Sequence, residues 1–596
     1  MRQDLVIGMA GAGGDGVIAA GETLIAAAAI DGYYARMTKS FGSQIRGGES
    51  SFRMRVSTTP VLSLGGALDV AVALNWEDFL RFGGELPVGG RTVVIYDTKT
   101  GVAVDKIPLT GIVPAAVMAV PIDEMARATV GHERAKNTVV LGLLSGWFGL
   151  PGKAILSGLQ KRFAKKSDEV REGNERAFAA GVQYAVEHPL EKPVVLAPPA
   201  PNAPVRLIAD GNAMCGAAAI SAGCSFFGGY PITPSTEIMQ FLSKELFRYG
   251  GTVLQAEDEI AGVGAAIGAS FAGKKAMTAT SGPGMSLKSE MLGLATIAEL
   301  PLVCVNVQRG GPSTGLPTKA EQSDLFQAVF SAHGDVVRPV LAPVDVADIF
   351  GITVEAFNIA EQYQTPVIVL SDGDIGQRKE TVDRFDPTAF PLVERLRPTP
   401  DELAPYVRFR ITESGVSPIS EPGMLGGNYL ASGIEHTATG APTATGSVHA
   451  EMTAKRTRKL DPLKKRRDLF VESGHPAAPL ALVSWGSIAG VAQEALDLAR
   501  AEGLHVKLLI PKLLYPVSEE VYRGFFASVR GGLVVEQSYL GQLWRLLKMF
   551  VDVPAGIEPF ARPGAVPISP DEIVARLRQL AATLQRQRSP EPTPVE

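Results

Sequence analysis

The stretch Phe227 to Ser270, FGGYPITPSTEIMQFLSKELFRYGGTVLQAEDEIAGVGAAIGAS, leaves few folds open to this chain. A short apolar run ends in two glycines and breaks into Tyr230-Pro231-Ile232-Thr233-Pro234-Ser235-Thr236. There the second proline presets φ for a first helical turn, and Thr233 or Ser235 is placed to cap it. Farther on, Gln255-Ala256-Glu257-Asp258-Glu259 runs straight into Ile260 to Ser270, a helix start of very small and apolar residues. Residues that small let another surface approach the backbone. Glu257, Asp258 and Glu259 thus stand at the mouth of an apolar helix. At least one is expected to be partly buried, where it needs a partner that rewards its charge or its proton.

The same alternation of strand, turn and helix runs through most of the chain and gives an α/β, multidomain reading. Residues 5 to 9 form an apolar strand that enters Ala10-Gly11-Ala12-Gly13-Gly14-Asp15-Gly16-Val17 and then the alanine-rich helix Ile18 to Ile30. Gly11, Gly13 and Gly16 satisfy G-x-G-x-x-G in the context where backbone N–H groups hold a phosphate, and equally in that of a plain tight βα turn. Asp31, ahead of the basic stretch Arg36 to Lys39, is a poor match for the acidic residue that would hold a ribose. Strands at Ser51 to Val56, Asp69 to Leu74 and Arg91 to Tyr96, with helical patterns over 136–150 and 167–187, complete a domain over 1–190. A proline-rich linker spans 191–204.

A second domain is expected over 205–385. Its strands at Lys275 to Thr280, Leu302 to Val307 and Val367 to Ser371 alternate with helices, as in a doubly wound parallel sheet with sites at its carboxyl edge. Thr280-Ser281-Gly282-Pro283-Gly284 and Gln308-Arg309-Gly310-Gly311 each follow a strand directly and are candidates for that crevice. Arg309 is able to offer a planar fork to a carboxylate. A connector over 386–478 carries the basic run Lys455-Arg456-Thr457-Arg458-Lys459 and a second one from Lys464 to Arg467, read as a solvated helix face. His436 and His449 have no metal-like neighbour one turn on and are given structural roles. A last α/β domain covers 479–585, and 586–596 read as a disordered tail.

Composition narrows the partners. A net charge of −5 over 596 residues calls for neither nucleic acid nor an anionic membrane. The apolar run Val139 to Leu150 is too short and too broken to span a bilayer, and the N-terminus does not read as a signal peptide, so a soluble cytoplasmic protein is expected. Cys215, Cys224 and Cys304 are the only cysteines and show no C-x-x-C spacing. An iron–sulfur cluster normally takes four thiolates, so none is expected on this chain alone.

YPITPS and EDEIA, with Val307-Gln308-Arg309-Gly310-Gly311-Pro312-Ser313-Thr314-Gly315-Leu316-Pro317-Thr318 behind them, resemble the α subunit of 2-oxoacid:ferredoxin oxidoreductases, most closely the 2-oxoglutarate branch. The glycine loop with Ser40-Phe41-Gly42-Ser43-Gln44-Ile45-Arg46-Gly47-Gly48-Glu49-Ser50 resembles the γ domain of that family, fused here ahead of α, and the last domain resembles its transketolase-type C-terminal domain. The resemblance implies that 205–385 is the pyrimidine-binding half of a thiamine diphosphate site, with Tyr230, Pro231, Ile232 and Thr233 in the cofactor loop. One carboxylate would bond the pyrimidine nitrogen and promote its imino form. The family pattern favours Glu259, and desolvation of a carboxyl suits that task. Arg309 and Thr233 would be the substrate-binding pair. The γ domain would contribute to the coenzyme A pocket, with Arg46 meeting a phosphate or an acyl group, or else pairing with Glu49 or solvent.

Gly14-Asp15-Gly16 and Gly373-Asp374 lack the asparagine pair that completes the family's magnesium motif, so no metal site is assigned here. The resemblance therefore implies a β subunit that brings Mg2+, the diphosphate half and a [4Fe-4S] cluster. Ferredoxin would accept the electrons and coenzyme A the acyl group, in a dimer of heterodimers. The implied reaction turns 2-oxoglutarate and coenzyme A into succinyl-coenzyme A and carbon dioxide, reversibly. Pyruvate or a branched-chain oxoacid as substrate, a dinucleotide-binding dehydrogenase built on Gly11 to Gly16, and a non-catalytic scaffold subunit stay open as alternatives.

Overall fold

Continuous apolar runs such as Leu302–Gln308 and Pro366–Asp372 make strands that are buried on both faces, which is how central strands of a parallel sheet read. The structure, a computed structural model, describes residues 1–42, 48–564 and 566–588. Arg46 and the tail beyond Arg588 lie outside the described residues. The chain divides into two units, each built from its own sheets.

The first unit takes in Met1–Asp210 and Gln377–Phe385, with a short piece near 566–569. Its sheet is formed by β1 (Asp4–Gly11), β2 (Tyr34–Phe41), β3 (Ser50–Ser57), β4 (Val70–Ala73), β5 (Val93–Asp97), β6 (Ala116–Val120), β7 (Leu207–Asp210) and β14 (Lys379–Val382), in the order β6-β5-β4-β1-β3-β2-β14-β7. One half is parallel and the half from β1 to β7 is antiparallel. Helices Val17–Ile30, Lys136–Phe148 and Asp168–Glu187 share one core with the sheet, and a smaller cluster around Trp76, Phe79, Phe82 and Tyr96 forms another.

Two expectations change here. The segment 191–204 is not a free tether, because Arg2 and residues 195–197 exchange backbone hydrogen bonds and Leu196 is buried. Residues 207–210 and 379–382, both assigned to the second domain from sequence, are strands of the first sheet. Short polar-flanked strands of this kind carry little periodicity, so their membership is decided by pairing and not by pattern.

The second unit holds a seven-stranded sheet of β8 (Phe226–Gly229), β9 (Thr252–Gln255), β10 (Ala276–Thr280), β11 (Leu302–Gln308), β12 (Val340–Leu341), β13 (Pro366–Asp372) and β18 (Leu513–Tyr515), ordered β18-β12-β13-β11-β10-β8-β9 and parallel except at β18. It also holds a five-stranded sheet of β15 (Phe470–Gly474), β16 (Leu480–Ser484), β17 (Val506–Pro511), β19 (Gly531–Glu536) and β20 (Ile557–Ala561), ordered β15-β17-β16-β19-β20, with β15 antiparallel at the edge. β17 belongs to one sheet and β18 to the other, so the last α/β layer is stitched to the doubly wound layer by continuous chain.

The basic run of the connector is not a solvated face. Lys455 and Lys459, on and just past helix Gly446–Arg458, are buried, and both reach the carboxylate of Glu299, at 2.5 and 3.2 Å. Arg408, also buried, donates to the Glu299 carbonyl at 2.8 Å. Burial alone would push the Glu299 carboxyl up. The ammonium groups of Lys459 and Lys455, with Arg408, outweigh it and hold that carboxyl far below the usual range. A charge count along the sequence cannot see this, since the counter-ion is 156 positions away. His436 is buried, its Nδ1 donating to the Ile434 carbonyl at 3.1 Å and its ring lying against Phe409, whereas exposed His449 pairs with Glu435 at 2.6 Å. Among the described residues no helix is long and apolar enough to cross a membrane.

Candidate active site

The carboxyl ends of β8, β10, β11 and β13 lie side by side in the second unit, and the turns after them carry the motif residues. After β8 the chain makes the Tyr230 loop and enters helix Thr236–Glu245. Ser235 occupies the position before that helix, but its hydroxyl donates back to the Ile232 carbonyl at 2.9 Å and caps nothing. The expected cap is therefore corrected: the hydroxyl tightens the loop instead of the helix. Two side chains pin this loop from outside. Asn212 Nδ2 donates to the Pro234 carbonyl at 2.7 Å, and Arg309 Nη1 donates to the Thr233 carbonyl at 2.6 Å. Tyr230 is 39% exposed and Pro231, Ile232 and Thr233 are half-buried, so the loop keeps an open side.

Arg309 follows β11 and is 7% exposed. Among the described residues its guanidinium has no ion-pair partner, and its Nε is buried without a hydrogen-bond partner. Burial depresses its proton affinity and Asp324 partly restores it. Asp324 is fixed by Asn306 Nδ2, which donates to it at 3.1 Å, and by its own N–H on Gln308 Oε1 at 3.0 Å. Burial, with a smaller push from nearby Glu321, outweighs Asn306 and Arg309 and brings the Asp324 carboxyl up to about 6. Ser281 Oγ and Asn306 Oδ1, at the ends of neighbouring β10 and β11, are likewise buried without partners. An orphaned buried polar group costs about 1–3 kcal/mol, so a group of them at one sheet edge marks a place where a ligand supplies the partners.

The three carboxylates before the apolar helix separate cleanly. Glu257 is exposed. Asp258 is the cap of helix Glu259–Phe271, accepting from Ala261 N–H at 2.8 Å. Glu259, the first helical residue, is 6% exposed. Its carboxylate lies over Gly284 in helix Gly282–Ile297, where a Cβ would stand 2.7 Å from Glu259 Oε1 and 2.1 Å from Thr280 Oγ1. Only glycine leaves room there. Lys288, one turn beyond Gly284 and 0% exposed, donates to the Glu259 carbonyl at 3.0 Å and to Thr278 Oγ1 at 3.2 Å.

The glycine loop of the first unit presents a different picture. Asp15 Oδ2 accepts the Ala12 N–H at 3.0 Å, and Asp15 pairs with buried Lys136 at 2.7 Å. Gly16 takes φ 77° at the start of helix Val17–Ile30, against Asn137, and Gly13 is exposed. One N–H of the loop is thus taken by the loop's own carboxylate, a feature of the tight-turn version of the motif. Arg46 stands outside the described residues.

Residues 217–455 match the family described as pyruvate flavodoxin/ferredoxin oxidoreductase, thiamine diP-binding, and residues 6–184 the family described as pyruvate ferredoxin/flavodoxin oxidoreductase. A 2-oxoglutarate oxidoreductase subunit KorA from Mycobacterium tuberculosis is 34% identical over 590 residues, covering 92% of this chain and 88% of that protein. The chain belongs to the 2-oxoacid:ferredoxin oxidoreductases. Within that family, subunit alpha of 2-oxoacid:ferredoxin oxidoreductase 2 from Aeropyrum pernix is 31% identical, covering 92% of this chain and 93% of its own. Among solved structures, the 2-oxoglutarate:ferredoxin oxidoreductase from Magnetococcus marinus, with 2-oxoglutarate, coenzyme A and succinyl-CoA bound, matches with a TM-score of 0.92 at 37% identity, over 97% of this chain and 100% of that one. In this oxidoreductase chain the reading from sequence overlooked Asn212, Asp324 and Lys288. Only Lys288 left a trace: a lone cation at helical spacing from a glycine, in an otherwise small and apolar turn.

Proposed function

We propose that this chain is the fused γ–α subunit of a 2-oxoglutarate:ferredoxin oxidoreductase, which converts 2-oxoglutarate and coenzyme A to succinyl-coenzyme A and carbon dioxide while reducing ferredoxin, and runs backwards when ferredoxin is sufficiently reducing. The observation that carries the reading is the unpaired, buried guanidinium of Arg309 fastened to the Thr233 loop, at the same sheet edge as the Glu259 helix start. It is supported by the 2-oxoglutarate enzymes among the similar proteins.

The residues present fit the pyrimidine half of thiamine diphosphate. The Tyr230 loop is half open, the Glu259 carboxylate is confined over Gly284, and polar atoms of Ser281, Asn306 and Arg309 lack partners. The cofactor supplies the electron sink for the charge left by decarboxylation. Glu259 holds the pyrimidine nitrogen and shares its proton there. Arg309 grips the carboxylate of the 2-oxoacid, and Thr233 orients it through its hydroxyl. Pro231 and Ile232 shape the loop around the ring, with Tyr230 at its open side.

The cysteines point to a partner for the remaining parts. Cys215, Cys224 and Cys304 are buried free thiols, pushed up to about 12, 12 and 11 by burial, and three cysteines fall short of the four that a cluster normally takes. A β subunit brings the [4Fe-4S] cluster, Mg2+ and the diphosphate half, and the γ part with Arg46 takes part in holding coenzyme A. The complex works in the cytoplasm as a dimer of heterodimers.

Co-expression with the β subunit from the same genome, followed by coenzyme A-dependent reduction of ferredoxin with a panel of 2-oxoacids, tests the reading. Turnover is expected to be fastest with 2-oxoglutarate. Preference for pyruvate or a branched-chain oxoacid would move the chain to another branch of the family. Tight binding and reduction of NAD by the chain without a partner would overturn the proposal.

A further inference from the structure

Lys288 is a cation with no anion. It is wholly buried on helix Gly282–Ile297, and among the described residues no carboxylate lies within ion-pair distance of its ammonium. Its acceptors are neutral: the Glu259 carbonyl and the Thr278 hydroxyl on β10. Burial lowers its proton affinity, while Cys304, Glu259 and Asp258 counter that loss. A methionine of similar length would fill the same space without the desolvation cost, so a purely space-filling role does not account for a charge here.

The surroundings give the charge a task. Gly284 and Lys288 stand one turn apart on the same helix face. The first makes room for the Glu259 carboxylate, and the second ties the backbone of the same residue to β10. Glu259 is thereby held at both ends, its side chain in the Gly284 notch and its carbonyl on the ammonium. Without the ammonium, the side-chain hydrogen bond left to the backbone of the first turn of helix Glu259–Phe271, among the described residues, is that of the Asp258 cap, which lies on the exposed side.

We infer that Lys288 is a positioning residue for Glu259, clamping the first turn of its helix so that the carboxylate meets the pyrimidine nitrogen in a fixed direction. This rests on the reading of Glu259 given under Proposed function. Lys288 reaches the cofactor only through Glu259.

The test is a double-mutant cycle on the complex with its β subunit. Thiamine diphosphate affinity is measured by calorimetry in the presence of magnesium, beside the kcat and KM for 2-oxoglutarate. Lys288→Met is expected to weaken thiamine diphosphate binding and lower kcat, each about tenfold, with the 2-oxoglutarate KM unchanged. In a Glu259→Gln background the same substitution is expected to change the affinity by less than about twofold, because the partner it positions is already disabled. Thr278→Val, which removes one of the two acceptors while keeping the shape, is expected to weaken affinity about threefold and decides the matter if Lys288→Met does not fold. An equal loss in both backgrounds would show a general packing role and overturn the inference. So would an unchanged affinity in Lys288→Met, or in Thr278→Val where that variant decides. Glu259→Gln leaving affinity and turnover intact would instead remove the assignment of Glu259, and the inference with it.

Discussion

Just past the end of helix Gly282–Ile297, Glu299 meets two ammonium groups and a guanidinium; within the helix, Lys288 has no carboxylate at ion-pair distance among the described residues. Both regions lie in the second unit and both are dry. At the Glu299 end the buried carboxylate is shared by two ammonium groups, and the network fastens the connector to the doubly wound layer. Two non-glycine residues in the left-handed region, Glu299 at φ 52° and Gln364 at φ 49°, are bridged by Lys459, which donates to the Glu299 carboxylate and to the Gln364 carbonyl at 2.9 Å. At the other end, among the described residues, Lys288 and Arg309 keep their charges without an ion pair, and Ser281 and Asn306 keep polar atoms without partners. Paired buried charge is architecture that fails badly when one member is removed. Unpaired buried charge weakens a protein and persists where something else completes it.

The contrast can be broken most forcefully at Glu299. Glu299→Gln leaves Lys455 and Lys459 facing each other without an anion, and is expected to cost about 3–5 kcal/mol in urea unfolding. A loss below about 1 kcal/mol would mean that the network is not the fastening it resembles. Arg309→Leu is expected to do the reverse. The kcat/KM for 2-oxoglutarate should fall by about a hundredfold or more while the unfolding midpoint holds or rises. A stability loss like that of Glu299→Gln would place Arg309 with the architecture instead of the site.

The pH dependence of the two ends carries opposite signs. Asp324, pushed up to about 6 from an ordinary 3.8, lends stability that is complete below the lower value and is lost as the pH rises through 6. Glu299, held below its ordinary 4.5, lends stability that is present above 4.5 and is lost as the pH falls beneath it. Wild type should therefore lose ground to Asp324→Asn between pH 4 and 6, and lose its advantage over Glu299→Gln below pH 4.5, both followed by thermal unfolding across pH. A flat difference in either series would break the assignment at that end. The smallest effect belongs to His449→Ala: its pair with Glu435 is exposed on the histidine side, and its removal is expected to cost no more than about 0.5 kcal/mol in the same unfolding assay.

Much of the site was legible before the structure because its residues sit where the chain changes from strand to helix. Thr233 and Arg309 announce themselves by standing beside proline and glycine at such a joint, and Glu259 by opening an apolar helix. What was not legible depends on partners distant in sequence. Lys455 and Lys459 look like surface lysines until Glu299 is placed against them. Ser235 looks like a helix cap until its hydroxyl is seen to turn back on Ile232. Asn212, which pins the Pro234 carbonyl, reads only as a residue in a small-residue helix. The glycine loop was ambiguous for a different reason: the same three glycines serve a phosphate or a plain turn, and Asp15, which takes one of the loop's N–H groups, is inside the motif itself.

The placement of β14 has a consequence for how the chain comes into being. The sheet of the first unit needs a strand from residues 379–382, inserted between β2 and β7. During synthesis the amino-terminal layer must wait, with β2 as a bare edge, until nearly two-thirds of the polypeptide has emerged. A gene split at the proline-rich segment near residue 200 would leave that edge open on the smaller product until the larger one, which carries residues 379–382, supplied the strand.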